Sequence, residues 1–232
     1  MSDTKYTSYY KENTVGSVYP TEFVIRSFLG KYPRLQSEKT RYSGKKILDL
    51  GFGDGRNMTL LRDLGFQIHG VEVTDEICEQ IKAQMLERGI QIESKKGRNS
   101  GIPYSDSYFD FILACNSCYY VDEGCSYNDN LREINRVLKP GGKFIHSLPM
   151  GTTFIMNEAV DTGNGHMRIT RDPYGVRVGS ILKKYDNASE IERDLSPFFN
   201  NISIGSCKDD FWGSLVHLWF VVCEKKNLKL FA

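Results

Sequence analysis

Three glycines on alternate positions, Gly51, Gly53 and Gly55, interrupt an apolar run (Ile47, Leu48, Leu50) and precede helically spaced Met58, Leu60, Leu61 and Leu64. The pattern predicts a buried strand, a tight turn and a helix. Without Cβ atoms the turn can adopt positive φ and approach a ligand closely. The N–H groups and positive end of the following helix point into the same gap, which suits a nucleotide-like ligand. A dinucleotide fingerprint would need a third glycine where Arg56 stands, and no G-K-[ST] follows for a phosphate loop. About 20 residues beyond Gly51, Glu72 ends a second apolar stretch (Phe66, Ile68, Val71). A carboxylate at such a strand tip can accept two hydrogen bonds from ribose hydroxyls.

Asp49-x-Gly51-x-Gly53-x-Gly55 resembles the first motif of class I S-adenosylmethionine-dependent methyltransferases. Two further segments strengthen the resemblance. Gly97 to Ile112 resembles that family's G-D-A-x-x-L-P-F-x-D-x-S-F-D-x-V run, and Leu131 to Phe144 its helix–Lys-Pro-Gly-Gly–strand unit, here Lys139-Pro140-Gly141-Gly142. The resemblance covers about residues 45–150. It implies S-adenosylmethionine as cofactor and S-adenosylhomocysteine as product. It places Asp49, Gly51, Phe52, Gly53, Gly55 and Asn57 at the glycine turn, Glu72 and Val73 at the ribose, and Asn116 beyond the fourth strand. Arg98, Asn99 and Ser100 would close over the adenine. There the sequence departs from the family, since Arg98 takes the acidic position and leaves Asn99 to bond the base through its amide. In related enzymes an N-terminal flap covers the cofactor; the aromatic stretch Tyr9, Tyr10, Gly16, Tyr19, Pro20 is the candidate, with Tyr10 and Tyr19 touching the cofactor.

The elements that would position these groups alternate regularly: a helix around 20–31, strand 45–50, helix 55–64, strand 66–72, helix 75–88, a short strand at 90–94, strand 109–114, helix 128–138 and strand 143–148. Helix 188–196 and strands 201–206 and 215–224 follow. Alternation of this kind means a parallel sheet covered on both faces. The expected architecture is α/β, a Rossmann-like class I methyltransferase fold with a seven-stranded, mostly parallel sheet whose last strand is antiparallel, as the resemblance implies. One domain spans 1–232: a helical cap (1–44), a cofactor-binding core (45–148), a substrate-recognition insertion (149–186), and a C-terminal helix and strand pair (187–232).

The insertion is Gly-rich and too long for an ordinary connection, and ligand selectivity is built on loops at the carboxyl ends of parallel strands. It carries His166, Arg168, Arg171 and Arg177, whose guanidinium forks would suit an anionic acceptor. Tyr119 and Tyr120, just past strand four, are expected at the methyl-donor mouth, and Trp212 beside Phe211 as a candidate pocket wall. Because a sulfonium methyl is already electrophilic, positioning is the main requirement and can contribute about 7–11 kcal/mol. An alcohol acceptor would profit from a neutral histidine, His166 or else His146, whereas a carboxylate or phosphate oxygen would need none. No carboxylate–histidine cluster calls for a metal.

The chain has 232 residues, 40% hydrophobic, with 30 Lys+Arg against 29 Asp+Glu for a net charge of +1. Near-neutrality argues against a nucleic-acid substrate, which favours a basic surplus. Asn116-Ser-Cys-Tyr119 lacks both prolines of the motif in amino-methylating DNA enzymes. Six cysteines lack disulfide-framework spacing, and Cys115-x-x-Cys118 has no second ligand pair. With no apolar run near 20 residues and no secretory h-region, a reduced cytoplasmic protein, monomer or homodimer, is expected. The expected activity is methyl transfer to an oxygen, or second to a nitrogen, of a small and plausibly anionic metabolite such as a saccharide- or nucleotide-linked intermediate. A protein or RNA methyltransferase, and a non-catalytic cofactor-binding subunit or sensor, are the alternatives.

Overall fold

A computed structural model describes residues 4–12, 18–36 and 42–227; Gly16, named above in the N-terminal flap, lies outside them. Two short helices lead the chain, α1 (Thr4–Glu12) and α2 (Glu22–Leu29). Alternating strands and helices follow: β1 (Lys46–Leu50), α3 (Met58–Asp63), β2 (Gln67–Glu72), α4 (Asp75–Glu87), β3 (Ile92–Lys96), β4 (Phe109–Ala114), β5 (Tyr120–Val121), α5 (Tyr127–Val137) and β6 (Leu138–Pro149). The insertion contributes β7 (Val160–Gly163), β8 (His166–Arg168) and β9 (Ile181–Lys183). The chain then runs through α6 (Ala188–Leu195) into a long hairpin, β10 (Phe199–Phe211) and β11 (Ser214–Lys225).

Seven strands form the main sheet in the order β10-β11-β6-β4-β1-β2-β3. Every pairing from β6 to β3 is parallel, and β11 runs antiparallel to both its neighbours. The expected Rossmann-like class I methyltransferase fold is therefore the observed one.

Period-2 alternation decides which residues enter which layer. On β1, Ile47 points into the layer built from α2, α3 and α4, while Leu48 and Leu50 point into the layer under α5 and α6. Asp49 shares the side of Ile47, so the sheet carries a carboxylate into an otherwise apolar layer, 1% exposed. Helix α5 buries Tyr127, Leu131, Ile134 and Val137 along one stripe, the spacing read from the sequence. Its N-terminus is tied by the Ser126 amide and hydroxyl, which both donate to Asp129 Oδ2 at 2.8 and 2.7 Å.

Local differences from the sequence reading have physical causes. The helix ends at Val137, but Lys139-Pro140-Gly141-Gly142 lies inside β6, not before it; Gly141 takes φ +72 and the register against β4 shifts there. This is a bulge that absorbs the turn within the strand. Tyr9 and Tyr10, read as part of a flap before the first helix, lie in a helix of their own, α1. The insertion is not merely a loop, because β9, β8 and β7 add to β5 in a four-stranded antiparallel sheet. No helix among the described residues is long and apolar enough to cross a membrane.

Candidate functional site

The carboxyl ends of β1, β2 and β4 open into a cavity of about 740 Å³, roofed by α1 and by residues 174–177 of the insertion. That volume falls within the usual span of small-molecule sites, about 300–1,000 Å³.

The glycine turn forms one wall. Gly51 (φ +68) and Gly53 (φ +57) both adopt backbone that side-chain-bearing residues rarely take. A Cβ on Gly51 would stand 2.5 Å from Ser117 Cβ, and one on Gly53 would stand 2.5 Å from Tyr10 Oη. The turn is therefore glycine both for its φ and for the groups that crowd it. Gly55 has a packing role: a Cβ there would meet Ile81 and Met85 of α4 at 3.0 and 3.2 Å, away from the cavity. Phe52 lines the cavity and lies over Gly70 of β2, whose Cβ would meet the ring at 2.5 Å.

Glu72 closes this wall. Its Oε1 accepts from the Gly53 amide and its Oε2 from the Val73 amide, both at 2.9 Å. Burial raises its carboxyl above the ordinary value, and the two amides only partly offset that. A carboxylate offers about four lone-pair positions, so each oxygen keeps one for a ligand hydroxyl. Asp49 lies behind the turn, off the cavity wall, with Oδ2 buried and unpartnered. Burial, then Glu72 and Asp54, push its carboxyl up to about 8. Asn57 lines the cavity and its Oδ1 accepts from the Thr21 amide at 3.0 Å, fastening the chain before α2 to the turn.

Across the cavity from Glu72, where an adenine was expected, Arg98 Nη1 donates to Asp122 Oδ1 at 2.8 Å and Ser100 Oγ to Asp122 Oδ2 at 2.6 Å. Asp122 itself lines the cavity. It thus brings a carboxylate to the region where residue 98 lacks one, and Ser100 acts behind it, off the wall. Asn99 Nδ2 is committed to the Ser117 and Tyr120 carbonyls at 2.9 and 3.0 Å, so only its Oδ1 is left to accept from an exocyclic amine. Asn116 (φ +58) lines the cavity, with its amide donating to Ser147 Oγ and its Oδ1 accepting from the same hydroxyl, each at 2.8 Å.

Helix α1 supplies Tyr6, Tyr9 and Tyr10 to the roof. Thr7 Oγ1 meets Thr74 Oγ1 at 3.1 Å, Gln80 Nε2 donates to the Tyr10 carbonyl at 3.4 Å, and Lys5 Nζ to the Val178 carbonyl at 3.3 Å. Opposite stand Tyr120 and Arg177, the guanidinium paired with the buried Asp172 at 3.1 Å.

Several residues singled out from the sequence lie elsewhere. Tyr19 is 77% exposed and off the cavity, and Trp212 is 98% exposed at the tip of the β10–β11 hairpin with φ +50, so neither walls the pocket. Arg171 pairs with Glu158 at 2.7 Å on the surface, and Arg168 Nη1 reaches the Gly179 carbonyl at 3.4 Å. His166 sits on β8 opposite Lys183, its Nε2 buried without a partner. Burial and then Lys183 lower its basicity, and it does not reach the cavity as a base. His146 is fully buried on β6, stacked on Phe144 at 3.9 Å, with burial holding it down to about 3. Tyr119 lies beneath Tyr120, ring centroids 5.2 Å apart, in the core behind the wall; burial keeps its hydroxyl protonated.

Sequence reasoning missed Tyr6 and Asp122. Tyr6 and Tyr10 are four residues apart, a one-face helical spacing that could have been read. Asp122 carries no local signal, because only the fold sets it against Arg98.

The sheet order, with the glycine turn and the strand-tip carboxylate at the ends of its strands, is that of a class I methyltransferase fold. A family model described as a methyltransferase domain matches residues 48–146. Among curated proteins the chain is similar to the uncharacterized methyltransferase YcgJ of Bacillus subtilis, 26% identical over 140 residues, 59% of this chain and 52% of that protein. It spans about half the length, or less, of the curated relatives it matches. Among solved structures it is similar to a SAM-dependent methyltransferase from Methanosarcina mazei (TM-score 0.64, 19% identity, 84% of this chain and 98% of that one). It is also similar to the 1,6-didemethyltoxoflavin-N1-methyltransferase of Burkholderia thailandensis, whose structure holds S-adenosylhomocysteine (TM-score 0.56, 16% identity, 80% and 72%). Residues 48–146 accordingly match a methyltransferase domain, and the chain has the fold of class I methyltransferases.

The residues present fit that cofactor. Glu72 has lone pairs for two ribose hydroxyls, and Asn99 Oδ1 and Asp122 offer acceptors to the adenine amine. The arginines on the wall are each matched, Arg56 by Asp54, Arg98 by Asp122 and Arg177 by Asp172. Glu72 beside the turn has no such cation among the described residues, a charge pattern that suits a sulfonium and an ammonium group; Asp49 behind it is held largely protonated by burial.

Proposed function

We propose that the protein transfers a methyl group from S-adenosylmethionine to an oxygen, or second to a nitrogen, of a small metabolite, with anionic and saccharide- or nucleotide-linked intermediates as candidates. The observation that carries this reading is the Gly51–Gly53 turn facing Glu72 inside a cavity roofed by α1. A roofed cavity of this size favours a small acceptor over a polymer, and the net charge of +1 points the same way.

The chain's own part in the reaction is alignment. Gly51, Gly53 and Glu72 hold the nucleoside, Tyr10 and Tyr6 exclude water from above, and residues 149–186 supply the acceptor wall through Arg177. When bound, S-adenosylmethionine supplies an electrophilic methyl carbon. Holding an acceptor in line with it can contribute about 7–11 kcal/mol toward the barrier.

Calorimetric titration tests the reading. Wild type should bind S-adenosylmethionine and S-adenosylhomocysteine at micromolar Kd, and Gly53→Val, which drives side-chain atoms toward Tyr10 and the cavity, should abolish both. A folded wild type with no affinity for either would overturn it.

A further inference from the structure

Among the described residues of the cavity wall, Asn116 alone combines a side chain with positive φ, +58. Asparagine tolerates this backbone better than most residues, yet glycine takes it at no steric cost. What residue 116 adds is therefore its carboxamide. One neighbour orients that group. Ser147 on β6 is fully buried, and its Oγ accepts from the Asn116 amide and donates to Asn116 Oδ1, each at 2.8 Å. The Ser147 hydroxyl has one proton and no other partner for it, so Oδ1 faces the serine and the NH2 group is turned away. No group among the described residues accepts from Nδ2. Asn116 is an exposed residue where it lines the cavity, and its NH2 is thus a fixed donor open to a ligand.

Strand order decides which end of the site this donor serves. β1 lies between β4 and β2, so the glycine turn after β1 separates Asn116, past the end of β4, from Glu72 at the end of β2. Ser117 packs onto that turn, where a Cβ on Gly51 would meet its Cβ at 2.5 Å. Ser147 belongs to β6, on the far side of β4 from β1, and the bond to it holds Asn116 on the side of the turn away from Glu72. With the ribose assigned to Glu72, the space beside Asn116 lies beyond the turn, where an acceptor would approach the methyl group.

We propose that Asn116 binds the methyl acceptor, and not the cofactor, by donating from its NH2 to an acceptor oxygen. This rests on the methyl-transfer reading above and narrows it. A carboxamide NH2 offers N–H groups and no lone pair, so it selects a compound that brings a hydroxyl, carbonyl or carboxylate oxygen to this point and discriminates against an amine, whose N–H groups it cannot receive.

The test compares wild type, Asn116→Asp and Asn116→Gly, each first shown to fold by thermal unfolding. Aspartate puts an oxygen where the NH2 stands at almost the same size, and glycine removes the side chain while suiting the backbone, so one variant serves if the other fails to fold. Calorimetry with S-adenosylhomocysteine comes first; a folded wild type that does not bind it sinks the methyl-transfer reading itself. Given binding, Asn116→Gly should keep the wild-type Kd within about threefold. The second measurement follows tritiated methyl from saturating S-adenosylmethionine into a protein-free small-molecule extract of the source organism, with the labelled products identified by mass spectrometry. Wild type should label oxygen-bearing compounds, and both variants should do so about tenfold more slowly or worse, because a misplaced acceptor loses in-line alignment. Transfer by Asn116→Asp at the wild-type rate, label carried mainly by amines, no label with a wild type that binds S-adenosylhomocysteine, or a larger loss of S-adenosylhomocysteine affinity in Asn116→Gly would each overturn the proposal.

Discussion

Replacing Glu72 by Gln changes one atom and separates recognition from structure. In the wild type each carboxylate oxygen already serves one amide, Gly53 or Val73, at 2.9 Å. The remaining lone pairs are those assigned to the ribose hydroxyls. Glutamine keeps one acceptor oxygen and turns the other into a donor that faces an amide. Hydrogen bonds to a charged group contribute about 1.5–3 kcal/mol each. Losing one fully and weakening the other should cost about 3 kcal/mol, or about a hundredfold in Kd at about 1.4 kcal/mol per factor of ten. The informative experiment is a cycle of variant against ligand, comparing S-adenosylhomocysteine with its 2′,3′-dideoxy analogue by calorimetry. Wild type should lose most of its affinity for the analogue, and Glu72→Gln should then weaken the analogue no more than about threefold further, giving a coupling of about 2–3 kcal/mol. If the variant weakened both ligands by the same factor, Glu72 would act only by shaping the turn, and its assignment to the ribose would be wrong.

Asp122→Asn should weaken S-adenosylhomocysteine about tenfold by removing the carboxylate near the adenine; calorimetry showing an unchanged Kd would remove Asp122 from the site. His146 carries a pH signature. Its folded value of about 3 lies below the ordinary 6.5 because of burial, so the unfolded chain protonates first as pH falls. Its contribution is fully present above pH 6.5 and is lost on acidification toward 3. At pH 5 that amounts to about 2 kcal/mol, so denaturant unfolding at pH 7.5 and 5 should show wild type losing that much more stability than His146→Phe. Parallel losses would contradict it. Arg136 donates to the carbonyls of Tyr104 and Ile102, each at 2.8 Å, and pairs with Glu133 and Asp106. Arg136→Ala should cost about 1–3 kcal/mol in urea unfolding and leave the cofactor Kd unchanged. Trp212→Ser should change neither stability by more than about 0.5 kcal/mol nor binding.

What the sequence made legible was local. The strand–glycine–helix unit at 47–64, the strand-tip carboxylate at 72 and the apolar stripe of α5 are each written within a few turns of chain, and each lies where periodicity puts it. The roof is different. Helix α1 is polar and short, so its reading rested on composition and not on a stripe. Of three arginines in the insertion only Arg177 reaches the cavity, because the antiparallel pairing of β8 with β9 leaves Arg168 on the surface and Arg171 finds Glu158. The same pairing sets His166 against Lys183 and removes it from the chemistry. Trp212 looked like a pocket wall because aromatic residues are usually covered, yet it occupies the turn of a hairpin that extends past the end of β6. Asp122 brings an acid to the wall beside Arg98 through a contact across 24 residues, which no motif encodes.

Where the nucleoside sits is the most direct test of the site. A crystal structure of the protein with S-adenosylhomocysteine should place both ribose hydroxyls within hydrogen-bonding distance of Glu72, with the adenine beside Asn99 and Asp122. A nucleoside bound elsewhere, or a ribose that leaves Glu72 untouched, would contradict it.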